Sequence, residues 1–267
     1  DNGQKQTETS YAEGVMNGPM RAWFETGLDK VQGAYSGGER VGEWTEWYGN
    51  GSMKLQGEYP NGNWCSWYRN GSKESEGERL NSLETGLWGY WDDNGNQVAR
   101  GTFDDGKKSG TWEHWYTNGQ IKRKGDWNRG REHGQWSFWY PSGQLKKEGG
   151  YFEGEEDGAW CHWYDNGNKA REGNWSRGRE EGKWLTWYEN GNLEREYEYL
   201  EGKWHGRRTL YREDGAKESE GFFEHGQRQG LWVAYHPNGQ LRSEVEFEND
   251  RQKPGMKLWS EDGRKLR

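Results

Sequence analysis

The chain has 267 residues, with 45 acidic against 37 basic side chains, a formal net charge of -8, 20 Trp, 15 Tyr and 43 Gly. An acidic balance with both signs interspersed disfavours nucleic acid, whose binding needs a net basic surface, and no apolar run approaches the roughly 20 residues of a membrane span. Scarce Leu, Ile, Val and Phe would ordinarily leave such a chain without a core, but recurrent rings each bury a large area and supply the missing apolar surface.

The chain starts at Asp1, not Met, and Asp1-Asn2-Gly3 aligns with the Asn-Gly turn one period before Gly27. A partial repeat is therefore expected over residues 1–14, and the native protein is expected to continue upstream or to join copies end to end. Turn glycines then recur at Gly27, Gly51, Gly71, Gly95, Gly119, Gly143, Gly167, Gly191, Gly215, Gly239 and Gly263. Every step is 24 residues except the 20 between Gly51 and Gly71, where part of the loop around Pro60-Asn61-Gly62-Asn63 is missing. A fixed period of this length signals a repeat array.

Within each period the pattern is that of a β-hairpin, because Asn-Gly between short aromatic strand-like runs marks a tight turn. Seven residues before the turn glycine stand Trp44, Trp64, Trp88, Trp112, Trp136, Trp160, Trp184 and Trp232; four before it stand Trp47, Trp115, Trp139, Trp163 and Trp187 among others. A ring recurs eight residues after the turn, as at Phe103, Trp127 and Tyr151, and glycine six after it, as at Gly101, Gly125, Gly149 and Gly173. A large ring across from a strand glycine covers its bare backbone. Trp44, Trp47, Trp112, Trp115, Trp136, Trp139, Trp160, Trp163, Trp184 and Trp187, with Gly119, Gly125, Gly143 and Gly149, are accordingly expected to hold the repeats together.

The two Trp positions are three apart and so project from opposite faces of a regular strand. Either both faces are covered or the strand bends; a two-residue type I′ turn and a three-residue loop with a bulge imply different registers, and both remain open. Segments such as Asp104–Gly110 are expected as inter-repeat loops. The expected fold is all-β, an elongated twisted antiparallel sheet of stacked hairpins, solenoid-like and without helices. It forms one array over 1–267 of about eleven hairpins, the last incomplete at 255–267.

The run Gly134-Gln135-Trp136-Ser137-Phe138-Trp139-Tyr140-Pro141-Ser142-Gly143, repeated over essentially the whole chain, resembles the bacterial-type variant of the MORN repeat. The resemblance implies a scaffold; some such proteins dimerise, some are proposed to meet lipid headgroups, and many carry the label of a toxin-antitoxin antitoxin. The late repeats depart from the pattern: Arg208 replaces the first Trp, and Arg212, His236 and Ser260 replace the Tyr after the second ring. A looser resemblance, to cell-wall-binding repeats that hold choline or glycan between aromatics, supplies an alternative.

Isolated polar groups read as repeat positions. Cys65 and Cys161 share one position four repeats apart, too far for a bridge in a stacked rod. His114 and His162 lie two repeats apart and cannot share a metal ion. Acidic runs such as Glu153–Asp157 lack calcium-loop spacing. Asn50 and Asn70 start glycosylation-like triplets that the hairpin turn explains. No Ser, His or acidic cluster departs from the repeat as a catalytic site must, so no catalytic, cofactor or metal residue is assigned. The expected function is a non-enzymatic scaffold for a protein partner or for self-association. A carbohydrate- or choline-binding module is the alternative, and an antitoxin-type partner-binding protein the third reading. A processed start leaves secretion or the cell surface open, whereas unbridgeable cysteines favour the cytoplasm.

Overall fold

The computed structural model describes residues 3–266, so the turn expected at Asp1-Asn2-Gly3 lies partly outside the described residues. Among the described residues there are 24 strands and no helix. Contacts group the chain into two compact units, Asp1–Arg131 and Glu132–Arg267. In the first, strands from Thr7–Ala12 to Ile121–Asn128 pair antiparallel with their sequence neighbours. The second has the same meander, from Arg131–Trp139, which starts one residue before the boundary, to Lys257–Leu258.

Two turn types alternate. At the Asn-Gly end, Gly119 N–H donates to the Tyr116 carbonyl and Tyr116 N–H to the Gln120 carbonyl, both at 2.9 Å. Gly119 has φ 82°, whereas Asn118 is not among the positive-φ residues. This is the three-residue hairpin loop, a type I turn closed by a left-handed glycine. Only the glycine takes positive φ; the asparagine instead accepts the Gln120 N–H on its Oδ1 at 3.0 Å.

The other end corrects an expectation. Asp104–Gly110 is not a loop: Asp105 and Gly106, at φ 48° and 71°, form a two-residue type I′ turn, and the strand Lys107–Trp115 begins at once. The polar run disguised this strand because Lys108 faces the rings, with Nζ 4.2 Å from the Trp112 centroid and 4.7 Å from that of Trp127. Its aliphatic stem can cover apolar surface while the ammonium stays wet.

Between these turns sits a bulge. The register passes from Ser109↔Thr102 to Glu113↔Arg100, so Gly110, Thr111 and Trp112 oppose Gly101 alone. Such a bulge bends the strand and re-aims a side chain; here it sets the Trp112 ring over Gly101, where an added β-carbon would overlap it. On its other side Trp112 pairs with Gly125, which is buried. In the shortened repeat the strand Gly62–Trp67 has six residues against nine in Lys107–Trp115, and Gly57 pairs directly with Trp64. Turn and bulge have shrunk, yet Trp64 still covers Gly57.

Candidate functional site

The two faces of each hairpin have different fates. On one face Trp44, Trp64, Trp88 and Trp112 in the first unit, and Trp136, Trp160 and Trp184 in the second, are 0 to 4% exposed. In several repeats the ring eight residues after the turn stands edge-on between successive indoles. Phe103 lies 6.1 Å from Trp88 and 5.1 Å from Trp112, and Tyr151 lies 5.8 Å from Trp136 and 5.2 Å from Trp160. Edge-to-face contact adds about 1 kcal/mol per pair beyond burial. Several indole N–H groups find acceptors: Trp112 Nε1 donates to the Thr102 carbonyl and Trp160 Nε1 to that of Gly150, each at 3.0 Å, whereas those of Trp184 and Trp232 are buried without one.

A third set of side chains flanks this column. Phe138 lies 5.9 Å from Trp136 and 6.4 Å from Trp160, and His162 lies 6.1 Å from Trp160. Burial, aided by Lys147 and Arg171, pushes the His162 imidazole down to about 4; burial and Arg123 do the same to His114. Both are therefore neutral at pH 7 and serve as flat packing surfaces. Cations close the column: Arg40, Lys147 and Arg171 sit 4.3, 4.7 and 3.9 Å from the centroids of Trp44, Trp160 and Trp184.

The second Trp row, Trp47, Trp115, Trp139, Trp163 and Trp187, is half-buried on the opposite face. The tyrosines that follow this row staple one repeat to the next. Tyr140 Oη donates to the Trp163 carbonyl at 2.9 Å, Tyr164 to that of Trp187 at 2.7 Å and Tyr188 to that of Tyr211 at 2.9 Å. Arg212 keeps this bond, with Nη2 2.6 Å from the Tyr235 carbonyl, and His236 places Nε2 2.8 Å from that of Trp259. The turn asparagines add a parallel ladder, Asn166 Nδ2 to the Glu189 carbonyl at 2.8 Å and Asn190 Nδ2 to that of Glu213 at 3.0 Å. These bonds were hidden in the sequence, although the recurring Trp-Tyr pair was their visible mark. Gly119 and Gly143 take positive φ, while Gly125 and Gly149 are buried in strands.

Arg208 marks a compensated departure. Tyr197, 7% exposed, stands where other repeats have the covered glycine, and Arg208 stands where they have the covering Trp. Ring and non-ring have exchanged strands. Trp204 packs edge-on against Phe223 at 4.8 Å, and the Arg208 guanidinium lies 5.3 Å from the Trp204 ring and 5.9 Å from that of Trp232.

The face carrying the second Trp row is uncovered by any other element of its unit. Glu113 is held between Arg100 and Lys124, each at 3.0 Å, and hydrogen bonding from Lys124 first, then both charges, holds its carboxyl below the usual range. In the second unit the positions equivalent to Arg100 and Lys124 carry the opposite charge, Glu148, Glu172, Glu196, Glu220 and Glu244. Burial alone would raise the Glu220 carboxyl, but hydrogen bonds from Arg207, Lys217 and Tyr235 outweigh it and hold the group at about 2. A shallow open depression of about 470 Å³ is lined by Gln135, Glu148, Cys161, Glu172, Asn174 and Lys183 among others. Cys65 and Cys161 are free thiols whose pKa burial raises. No three His, Cys, Asp or Glu converge among the described residues, and no described helix is long and apolar enough to cross a membrane.

The family model of the MORN repeat variant matches residues 40–59, 108–128, 132–153, 156–176, 180–201 and 228–249. Its matches pass over 202–227, the stretch that holds Arg208. No curated protein matches the sequence. Among solved structures, similarity extends to a TcdB2-TccC3 crystal structure at 10% identity, over 91% of this chain and 18% of that one, with a TM-score of 0.21. It also extends to a Photorhabdus luminescens Tc holotoxin pore at 8% identity, over 90% of this chain and 16% of that one, with a TM-score of 0.19. The chain thus spans less than a fifth of either relative's length, and likeness at this level carries no functional argument.

Proposed function

The chain is a MORN-repeat protein, and we propose that it works as a non-enzymatic scaffold that offers the open faces of its hairpins to a protein partner or to further copies of itself. The observation that carries this reading is the burial of the first Trp row from Trp44 to Trp184 at 0 to 4% exposure, Trp232 alone being half-buried. Rings so enclosed hold repeats together and offer no stacking surface, so Trp44, Trp112, Trp136, Trp160 and Trp184, with Gly125 and Gly149, are read as structural. The surface left for a partner is the charged ladder of the other face, and interspersed charge suits specific protein contact.

The carbohydrate or choline module would need an exposed aromatic row. The second row is half-buried, and protein cations already occupy part of it, Lys73 at 5.2 Å from the Trp91 centroid and Lys169 at 5.6 Å from that of Trp187. This favours protein over sugar. An antitoxin would be one form of partner binding.

Photo-crosslinking residues placed at Thr111 and Ala159, both exposed on the open face, test the reading in cells. Specific protein adducts from these positions, without binding to a glycan or choline array, are expected. Glycan or choline binding with no protein adduct would overturn it.

A further inference from the structure

The most irregular repeat brings two imidazoles together. The strand ladder breaks between Lys203–Trp204 and Gly206–Tyr211, and at the break His205 N–H donates to the Glu198 carbonyl at 2.9 Å. One turn further on, Gly226 N–H donates to the Trp204 carbonyl at 2.7 Å. The same bond recurs at other type I′ turns, as Gly178 N–H to the Glu156 carbonyl and Gly202 N–H to that of Glu180, so the period sets the turn His225-Gly226 against the break. The rings of His205 and His225 consequently lie with centroids 5.3 Å apart and planes at 58°, with Phe222 6.2 Å from His205. His205 is half-buried, and its Nδ1 is enclosed without a hydrogen-bond partner; His225 is exposed. The equivalent positions also touch in neighbouring repeats, Glu201 N–H donating to Glu181 and Asn249 N–H to Gln229, so the period sets the approach, but it places two imidazoles there only once among the described residues.

We propose that His205 and His225 form a two-ligand site for a tetrahedral divalent transition ion, Zn2+ by donor chemistry, that clips the turn at His225 to the strand break at His205. Neutral imidazole nitrogen is a donor for zinc, copper and nickel, whereas calcium and magnesium take oxygen. With a Zn–N distance of about 2.0 to 2.1 Å, the ion lies about 3.2 Å from each ring centroid, and a tetrahedral angle then sets the centroids about 5.2 Å apart. The observed 5.3 Å matches that separation. No third His, Cys, Asp or Glu joins the pair among the described residues, so water completes the coordination. The orphaned His205 nitrogen gains a partner, and the bound ion stabilises the repeat that lacks the regular Trp-Gly contact.

The test is Zn2+ titration into the full chain at about pH 7.5, above the ordinary imidazole range, followed by calorimetry and by the 15N shifts of the imidazoles. Wild type is expected to bind one equivalent, with His205 and His225 both shifting and His236 unmoved. The variant His225→Asn, which retains a residue type tolerant of positive φ, should weaken binding at least about tenfold by loss of chelation. His205→Gln should do the same, and His236→Gln should leave binding unchanged. Equal binding by wild type and His225→Asn, or no binding up to about 1 mM Zn2+, where a chelate of useful affinity would be saturated, overturns the proposal.

Discussion

The indole of Trp112 occupies the volume that a β-carbon on Gly101 would need. The same relation joins Trp160 to Gly149 and Trp184 to Gly173, so the repeat is held by a ring lying flat on a bare strand. Gly101→Ala is therefore expected to destabilise the first unit by about 3 kcal/mol, the upper range for overpacking a filled site. At Gly119 nothing lies within 4 Å of the added carbon and only the φ of 82° opposes it. Gly119→Ala should cost about 1 to 2 kcal/mol. Urea denaturation distinguishes them, and equal midpoints would contradict the packing.

The exchange of Tyr197 for glycine and Arg208 for Trp predicts a thermodynamic cycle. Arg208→Trp alone forces a second ring against Tyr197 and should cost about 2 kcal/mol. Tyr197→Gly alone leaves a cavity and should cost about 3 kcal/mol. The double variant restores the regular pair, so its destabilisation should fall well below the sum, a coupling of at least about 2 kcal/mol. Additive losses in a denaturation cycle would show the two positions to be independent.

Protonation should unsettle the ring column. The His162 pKa, pushed down to about 4, lies below the unfolded value of about 6.5. The folded state therefore binds fewer protons, so its stability is fully present above pH 6.5 and is lost as pH falls towards 4. Phe138 already fills the equivalent place one repeat earlier. The variant His162→Phe should therefore gain stability relative to wild type between pH 6.5 and 4 by up to about 1.4 kcal/mol per unit, while differing little at pH 8. Parallel melting-temperature curves over that range would refute it.

One turn carries removable strain. Asn81 and Ser82 both have positive φ, 52° and 66°, and Ser82 stands where the other type I′ turns of this unit place glycine. Ser82→Gly should stabilise the first unit by about 1 kcal/mol, since a side chain in the left-handed region costs that order. A thermal melt that shows no gain would mean the surroundings already accommodate the serine.

Much of the fold was legible because the period is nearly constant: the hairpins, the absence of helices and the pairing of rings with glycines follow from spacing. That Trp112 and Trp115 face opposite ways also followed from their spacing, but which of the two rows is covered did not, because it depends on the bulge at Gly110, which no local sequence rule distinguishes from a loop glycine. Lys108 hid a strand by pointing its charged side chain at two rings. Arg212 and His236 looked like lost tyrosines, yet each keeps the contact with the next repeat's carbonyl that Tyr188 makes. Chemical role survived where residue identity did not, and that becomes visible only with the acceptors in place.

Burial of one ring row, with the opposite face left open, underlies the scaffold proposal. Hydroxyl-radical footprinting read by mass spectrometry tests it residue by residue on the folded chain. Strong protection of Trp112, Trp160 and Trp184 is expected, with distinctly faster oxidation of Trp115, Trp163 and Trp187. Equal oxidation of the two rows, or faster oxidation of the first, would contradict it.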